Sequence, residues 1–236
     1  MIQASYDLHL HSCLSPCGDD ASTPAAIAGY AALNGLQVIA LTDHNSCKNC
    51  GAFLKACDFY GIVGIPGMEL TTSEEVHVVC LFSALSDAMR FDGYVYEHLL
   101  DIKNDEKIFG KQQIMNEEDE ELGRVEKLLI SATDIDFDDV FDLVTSFNGI
   151  MIPAHLDKKT TSLISQLGFV PPDSRFRTAE LKNMANLHNL RKTNPYLEGC
   201  RIITSSDAHY LKDINMPVNT ILVEELTPAG VIAALS

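Results

Sequence analysis

The chain has 236 residues, 46% of them hydrophobic, and its 17 Lys and Arg against 33 Asp and Glu give a formal net charge of −16. That length supports one full hydrophobic core and leaves little for a second domain, so residues 1–236 read as a single domain. The acidic balance argues against a long nucleic acid as partner, because Lys and Arg supply most of such affinity; no run approaches the roughly 18 apolar residues of a membrane span, and no basic, apolar signal segment opens the chain, which predicts a soluble, cytoplasmic protein.

The first element is a strand carrying Asp7-Leu8-His9-Leu10-His11. Alternate strand residues share a face, so Asp7, His9 and His11 are expected to project together, and two imidazoles aimed at one point form half of a transition-metal site. A helix over Pro24 to Leu36 follows, with Thr23 as N-cap, Pro24 in the first turn and Gly35 as the stop. Val38 to Leu41 is a buried strand ending in Thr42-Asp43-His44. Next comes Cys47-Lys48-Asn49-Cys50, with the spacing of a redox pair or half a zinc site, but no second pair accompanies it. Its place just after His44 leaves it open to oxidation or metal scavenging, and the odd total of seven cysteines fits reduced thiols.

Gly51 to Tyr60 reads as a helix. Gly61-Ile62-Val63-Gly64-Ile65 leads to Gly67-Met68-Glu69, and His77 opens a strand running to Phe82. Residues 87–148 exceed what one strand and one helix require and are expected to be a helical excursion on the rim. Within it, Asp101 to Leu129 has helical composition, Glu117 to Glu121 reads as a solvated acidic face, and Phe137 to Phe147 as an amphipathic helix. Gly149 to Pro153 precedes Ala154-His155, and Arg201 to Ser205 precedes Ser206-Asp207-Ala208-His209.

Every histidine except His98 and His188 thus falls at a strand end. Strand ends converge in few architectures, and in a (β/α) barrel all C-terminal ends reach one rim. The expected fold is α/β, a distorted (β/α)7 TIM-like barrel. Its strands would end near His11, His44, Glu69, Phe82, His155, His209 and Glu224.

The ordered set Asp7 to Ser12, Leu41 to His44, Gly67 to Glu69, His77, Ala154-His155 and Ser206 to His209 resembles the PHP (polymerase and histidinol phosphatase) superfamily over about residues 5–225. The resemblance implies a distorted (β/α)7 barrel with a trinuclear metal centre and phosphoesterase activity. It implies that His9, His11, Glu69 and Asp207 hold one metal, that Glu69 bridges to a second completed by His77 and His155, and that His44 and His209 hold a third with a ligand from the loop after His11. The family usually has a carboxylate there. This chain reads Ser15-Pro16-Cys17-Gly18-Asp19-Asp20, so Asp19 is the preferred ligand and Cys17 its alternative.

Two or three divalent ions, Mn, Zn or Fe, suit such a ligand set. Water bound between them would lose a proton near neutral pH and attack the phosphorus. No side-chain nucleophile motif is present; Glu69, Asp207 and His209 are the candidate catalytic residues, and Lys158, Lys159 and Arg177, with Arg175, the candidates for substrate binding. The expected partner is a small phosphorylated substrate: a nucleotide, nucleotide bisphosphate, oligonucleotide end, sugar phosphate or histidinol phosphate. The alternatives are a metal-bearing regulatory or accessory module without catalysis, and a metal-dependent amidohydrolase, which shares the early His-x-His.

Overall fold

The computed structural model describes residues 1–16 and 18–236. In chain order the elements are β1 (Ile2–Leu10), α1 (Pro24–Leu33), β2 (Val38–Leu41), α2 (Cys50–Tyr60), β3 (Val63–Thr71), β4 (His77–Phe82), α3 (Leu85–His98), α4 (Glu106–Phe109), β5 (Gln113–Met115), β6 (Glu121–Arg124), α5 (Phe137–Ser146), β7 (Gly149–Pro153), α6 (Leu163–Leu167), β8 (Thr178–Glu180), α7 (Leu187–Thr193), β9 (Arg201–Ile203), β10 (Thr220–Val223) and α8 (Pro228–Leu235). The helix starts follow local chemistry: Thr23 accepts the Ala26 N–H ahead of Pro24, and Gly35 takes φ +83° past the end of α1.

A curled sheet in the order β10-β1-β2-β3-β4-β7 forms most of a barrel. β8 and β9 close it as a parallel pair. The Leu156 N–H donates to the Glu180 carbonyl at 2.9 Å, joining the end of β7 to β8, and the His11 N–H donates to the Ala208 carbonyl at 2.9 Å, joining β1 to the segment after β9. The barrel strands are therefore β1, β2, β3, β4, β7, β8 and β9. The sequence reading differs here, because it omitted β8 and counted β10, which instead pairs antiparallel with Ile2 to Ser5 of β1. β8 is three residues long, too short to show a hydrophobic period.

β4 runs antiparallel to both β3 and β7. Its first residue, His77, pairs with Thr71 at the end of β3, so the reversal puts a strand start on the rim that the other strands reach with their ends. Inside the barrel lie Tyr6, Leu8, Val38, Ala40, Ile65, Val79, Leu81 and Ile152, with Val231 and Leu235 of α8 packed among them. The opposite faces of β2 and β3, through Ile39, Leu41 and Met68, pack with α1 and α2 residues such as Ile27 and Phe53.

The register of β1 against β2 shifts between Asp7 and Leu10. Leu8 belongs to the interior cluster and Leu10 to the outer one, so the irregularity reverses the inward parity within β1. His9 and His11 consequently face inward, whereas Asp7, expected beside them, is turned onto the loops after β9, accepting the Ser206 N–H at 2.9 Å and the Asn215 N–H at 3.1 Å.

Asp101 to Leu129 is not helical as its composition suggested: only the four residues of α4 are helix, followed by the β5–β6 hairpin. Tertiary hydrogen bonds override propensity. Gln112, fully buried at φ +53°, donates through Nε2 to the Val125 and Lys127 carbonyls, both at 2.8 Å, and accepts the Leu129 N–H at 2.9 Å. Asn49 accepts the Met115 N–H at 2.9 Å and donates to the Gln113 carbonyl at 3.1 Å. The expected helix over Phe137 to Phe147 is present as α5. Replacing Gln112 by Ala removes three hydrogen bonds from buried backbone groups and should destabilise the protein by about 2–4 kcal/mol. Denaturant unfolding reads that loss, and hydrogen exchange should show the Leu129 amide losing protection first.

Candidate metal centre

Glu69, 1% exposed, is the point on which the rim converges. Its Oε1 lies 2.8 Å from His77 Nδ1, 3.1 Å from His155 Nε2 and 3.2 Å from His9 Nε2. Its Oε2 lies 3.0 Å from His44 Nδ1 and 3.4 Å from His11 Nε2. Asp207 Oδ1 is 3.6 Å from His9 Nε2, 3.5 Å from His11 Nε2 and 3.8 Å from His209 Nδ1. Three sets of side chains place their donor atoms together: His9, His11, Glu69 and Asp207; His44, Glu69 and His77; His11, His44 and His209.

The outward nitrogens are tied down. His9 Nδ1 sits 3.1 Å from Glu180 Oε1 and 3.2 Å from Oε2, so it carries the proton and leaves Nε2 a lone pair facing Glu69. Ser15 donates its hydroxyl to Asp43 Oδ1 at 2.7 Å and can only accept from His11 Nδ1, 2.9 Å away, which leaves His11 Nε2 a lone pair as well. Asp43 is itself held by the Ser12 N–H at 2.6 Å and the Ser12 hydroxyl at 2.7 Å. Such outer partners fix tautomer and ring orientation, as second partners of metal-binding histidines do.

These contacts leave a deficit at the centre. His9 Nε2, His11 Nε2, His44 Nδ1 and Glu69 Oε2 are all buried without a hydrogen-bond partner, and orphaned groups of this kind each cost about 1–3 kcal/mol. Charge says the same. Burial opposes ionisation of Glu69, yet His77, His9 and His44 hold it well below the usual carboxylate range. Burial pulls His9 down, but Glu180, Glu69 and Asp207 together carry it well above an ordinary histidine, so a proton occupies the Nε2 lone pair unless a cation displaces it. Burial, with His209 and His44 adding to it, keeps His11 well below. A cluster with lone pairs aimed inward and a shortage of positive charge fits divalent cations, and its imidazole and carboxylate donors suit Zn, Mn or Fe.

Asp19 stands apart. Its N–H donates to the His209 carbonyl at 3.1 Å, but its Oδ1 accepts the Ala21 N–H at 2.9 Å, and it belongs to none of the three donor sets. In its stead His11 joins His44 and His209. Cys17, the alternative, lies outside the described residues. Cys47 and Cys50 are buried, their thiols donating to the Gly67 carbonyl at 3.1 and 3.5 Å, and burial pushes the Cys47 thiol up, so the accessible pair expected at the rim is absent.

Lys158 Nζ donates to Asp207 Oδ2 at 2.8 Å, at the mouth of the cluster. Lys159 is exposed and borders a surface cleft with Lys158, Asn186 and Asn189. Arg177 does not reach the rim: it precedes β8, whose far end carries Glu180, and three residues of strand separate the two by about 10 Å. Arg175 pairs instead with Asp142 at 2.6 Å. Two residues escaped the sequence reading. Glu180 braces His9 and accepts the His155 N–H at 3.1 Å, and Lys182 bonds the Ser206 carbonyl with its ammonium 3.9 Å from Asp207 Oδ2. Glu180 ends, and Lys182 follows, a strand too short to announce itself.

The family model of the PHP domain matches residues 7–168. The chain belongs to the PHP domain family. No curated protein matches the chain. Among solved structures, the PHP chain is similar to the lesion-specific endonuclease Q of Pyrococcus furiosus, with TM-score 0.70 and 18% identity over 99% of this chain and 56% of that one; it thus spans little more than half the length of that relative. An amidohydrolase from Chromobacterium violaceum has TM-score 0.59 and 18% identity, covering 95% of this chain and 93% of its own. A candidate metal-dependent phosphoesterase from Bifidobacterium adolescentis has TM-score 0.57 and 15% identity, covering 98% and 96%. At these identities the likeness establishes the fold, a distorted PHP barrel.

Glu69→Gln keeps the side-chain volume and removes the charge that two donor sets share. Elemental analysis after reconstitution should show metal content falling by at least one equivalent per chain. Full retention would exclude a shared ligand at Glu69.

Proposed function

We propose that this PHP chain is a metal-dependent phosphoesterase, with two or three divalent ions held by His9, His11, His44, Glu69, His77, His155, Asp207 and His209. The observation that carries the proposal is the convergence of five imidazole nitrogens on the two oxygens of Glu69, several of those atoms buried with no hydrogen-bond partner. Divalent ions in such a set polarise phosphoryl oxygens and bring the pKa of water toward neutrality.

The chain's own residues supply the rest. Glu180 and Ser15 hold the rings of His9 and His11 in place. His209, with its side chain 24% exposed, is the member of the cluster most open to an incoming ester, and Asp207 lies beside it. Lys158, 37% exposed and tied to Asp207, presents an ammonium to a phosphate oxygen, and Lys182 adds a second positive charge beside it. No helix among the described residues is long and apolar enough to cross a membrane.

For the substrate, a small phosphate ester suits a chain of net charge −16. A second reading has its own support. A structure of endonuclease Q, with TM-score 0.69 to this chain, holds a 27-mer duplex with an abasic lesion at the active site. Net charge sums the whole surface, whereas binding depends on the local field, and the rim carries Lys158 and Lys182 beside Asp207, with Lys159 in the adjoining cleft. The acidity of the chain therefore does not exclude a DNA end or lesion.

Protein reconstituted separately with Mn, Zn and Fe, and offered an aryl phosphate, a bis-aryl phosphate and an abasic duplex, should hydrolyse at least one of them and lose that activity in excess chelator. Lys158→Ala should raise KM by about tenfold with a smaller change in kcat. Less than one metal per chain after loading, or an undiminished rate in chelator, overturns the proposal. Full metal content without turnover on any of the three points to the non-catalytic module.

A further inference from the structure

At the end of the barrel away from the imidazoles lies a cavity of about 560 Å³, with Phe141, Met151, Tyr196 and Leu235 among its walls. Its volume falls within the roughly 300–1,000 Å³ typical of small-molecule sites. Gly149 and Ile150, which begin β7, open onto it, as does Arg177 just before β8. The cavity is thus separated from the metal centre by the length of those strands.

Most polar groups around it already have partners. The Tyr196 hydroxyl donates to the Phe176 carbonyl at 2.7 Å, presenting its ring to the space. Arg175 is held by Asp142 and lies 4.4 Å from the centroid of the Phe141 ring. Two groups remain. Arg177 has no ion-pair partner among the described residues, and Ser174 Oγ is buried with no hydrogen-bond partner. The acidic groups nearby are Asp142, occupied by Arg175, and Asp138 and Asp173, which border an adjoining smaller hollow; Ser236 lines the cavity at its edge.

We propose that this cavity binds a small organic anion, a carboxylate, sulfonate or phosphate carried on an apolar ring or chain. Arg177 and the Ser174 hydroxyl take the anionic head, and the Phe141, Tyr196 and Met151 side take the body. A chain of net charge −16 repels anions in general. Against that background an unpaired guanidinium beside an orphaned hydroxyl gives an anion a specific partner, and the apolar hollow takes its body. The site is independent of the phosphoesterase reading and shares no residue with the metal centre.

The test is calorimetric titration of the full chain with naphthalene-2-sulfonate, which contains no ester to hydrolyse. One equivalent should bind. Arg177→Glu should weaken binding by at least about tenfold, the loss of one charge-assisted contact and its reversal. Thr145→Trp, filling the space from the exposed face of α5, should do the same, while Lys158→Ala at the opposite rim should leave binding unchanged. Because Arg177 is exposed, its variant should retain the parent's thermal unfolding midpoint. Absence of saturable binding, binding that survives both Arg177→Glu and Thr145→Trp, or binding lost in Lys158→Ala would each overturn the proposal.

Discussion

A carboxylate that is 1% exposed needs either a proton or a surrounding of positive charge and hydrogen bonds, and Glu69 has five imidazole nitrogens within 3.4 Å of its oxygens. Imidazole can offer a proton or a lone pair at each nitrogen, so the outer contacts of the rings decide which faces Glu69. Glu180 and Ser15 direct the lone pairs of His9 and His11 inward. The barrel's architecture serves that convergence. Rings arriving from β1, from β4 and from the loops after β2 and β7 can meet at one carboxylate only if their strand ends share a rim.

Two departures from an ideal parallel barrel make the meeting possible. The irregularity in β1 turns His9 and His11 inward without exposing Leu8, and frees Asp7 to fasten the Ser206 loop from outside. The reversal of β4 brings His77 to the rim at a strand's beginning. Backbone conformation adds to this: His155 at φ +32° lies in the left-handed region that residues other than Gly, Asn and Asp rarely adopt, and Asp207, one of the tolerated types, takes φ +55°. Hydrogen bonds from the Lys158 N–H to the His155 carbonyl and from the His11 N–H to the Ala208 carbonyl brace those turns.

Much of this was legible because histidine is rare and its placement periodic. Strand-end positions identified His9, His11, His44, His77, His155 and His209, and continuous apolar runs identified β2, β3 and β7. What escaped depended on contacts distant in sequence. The sharing of one face by Asp7 with His9 required a regular strand, and the register shift against β2 breaks that regularity. The helix expected across Asp101 to Leu129 gave way to buried amides of Gln112 and Asn49, residues whose role is invisible until their partners are in place. Glu180 lies 171 positions from the His9 ring it braces.

Asn49 joins three regions that would otherwise be separate. Its amide reaches the Ser12 hydroxyl at 2.9 Å while also holding Gln113 and Met115, and Ser12 in turn supports Asp43 behind the candidate metal centre. The β5–β6 hairpin is therefore wired into the scaffolding of the site and is no detachable lid. A chimera that grafts another relative's rim segment in its place would strand the Asn49 amide beside Ser12, so recombination across this boundary succeeds only where residue 49 and the incoming segment are exchanged as one unit.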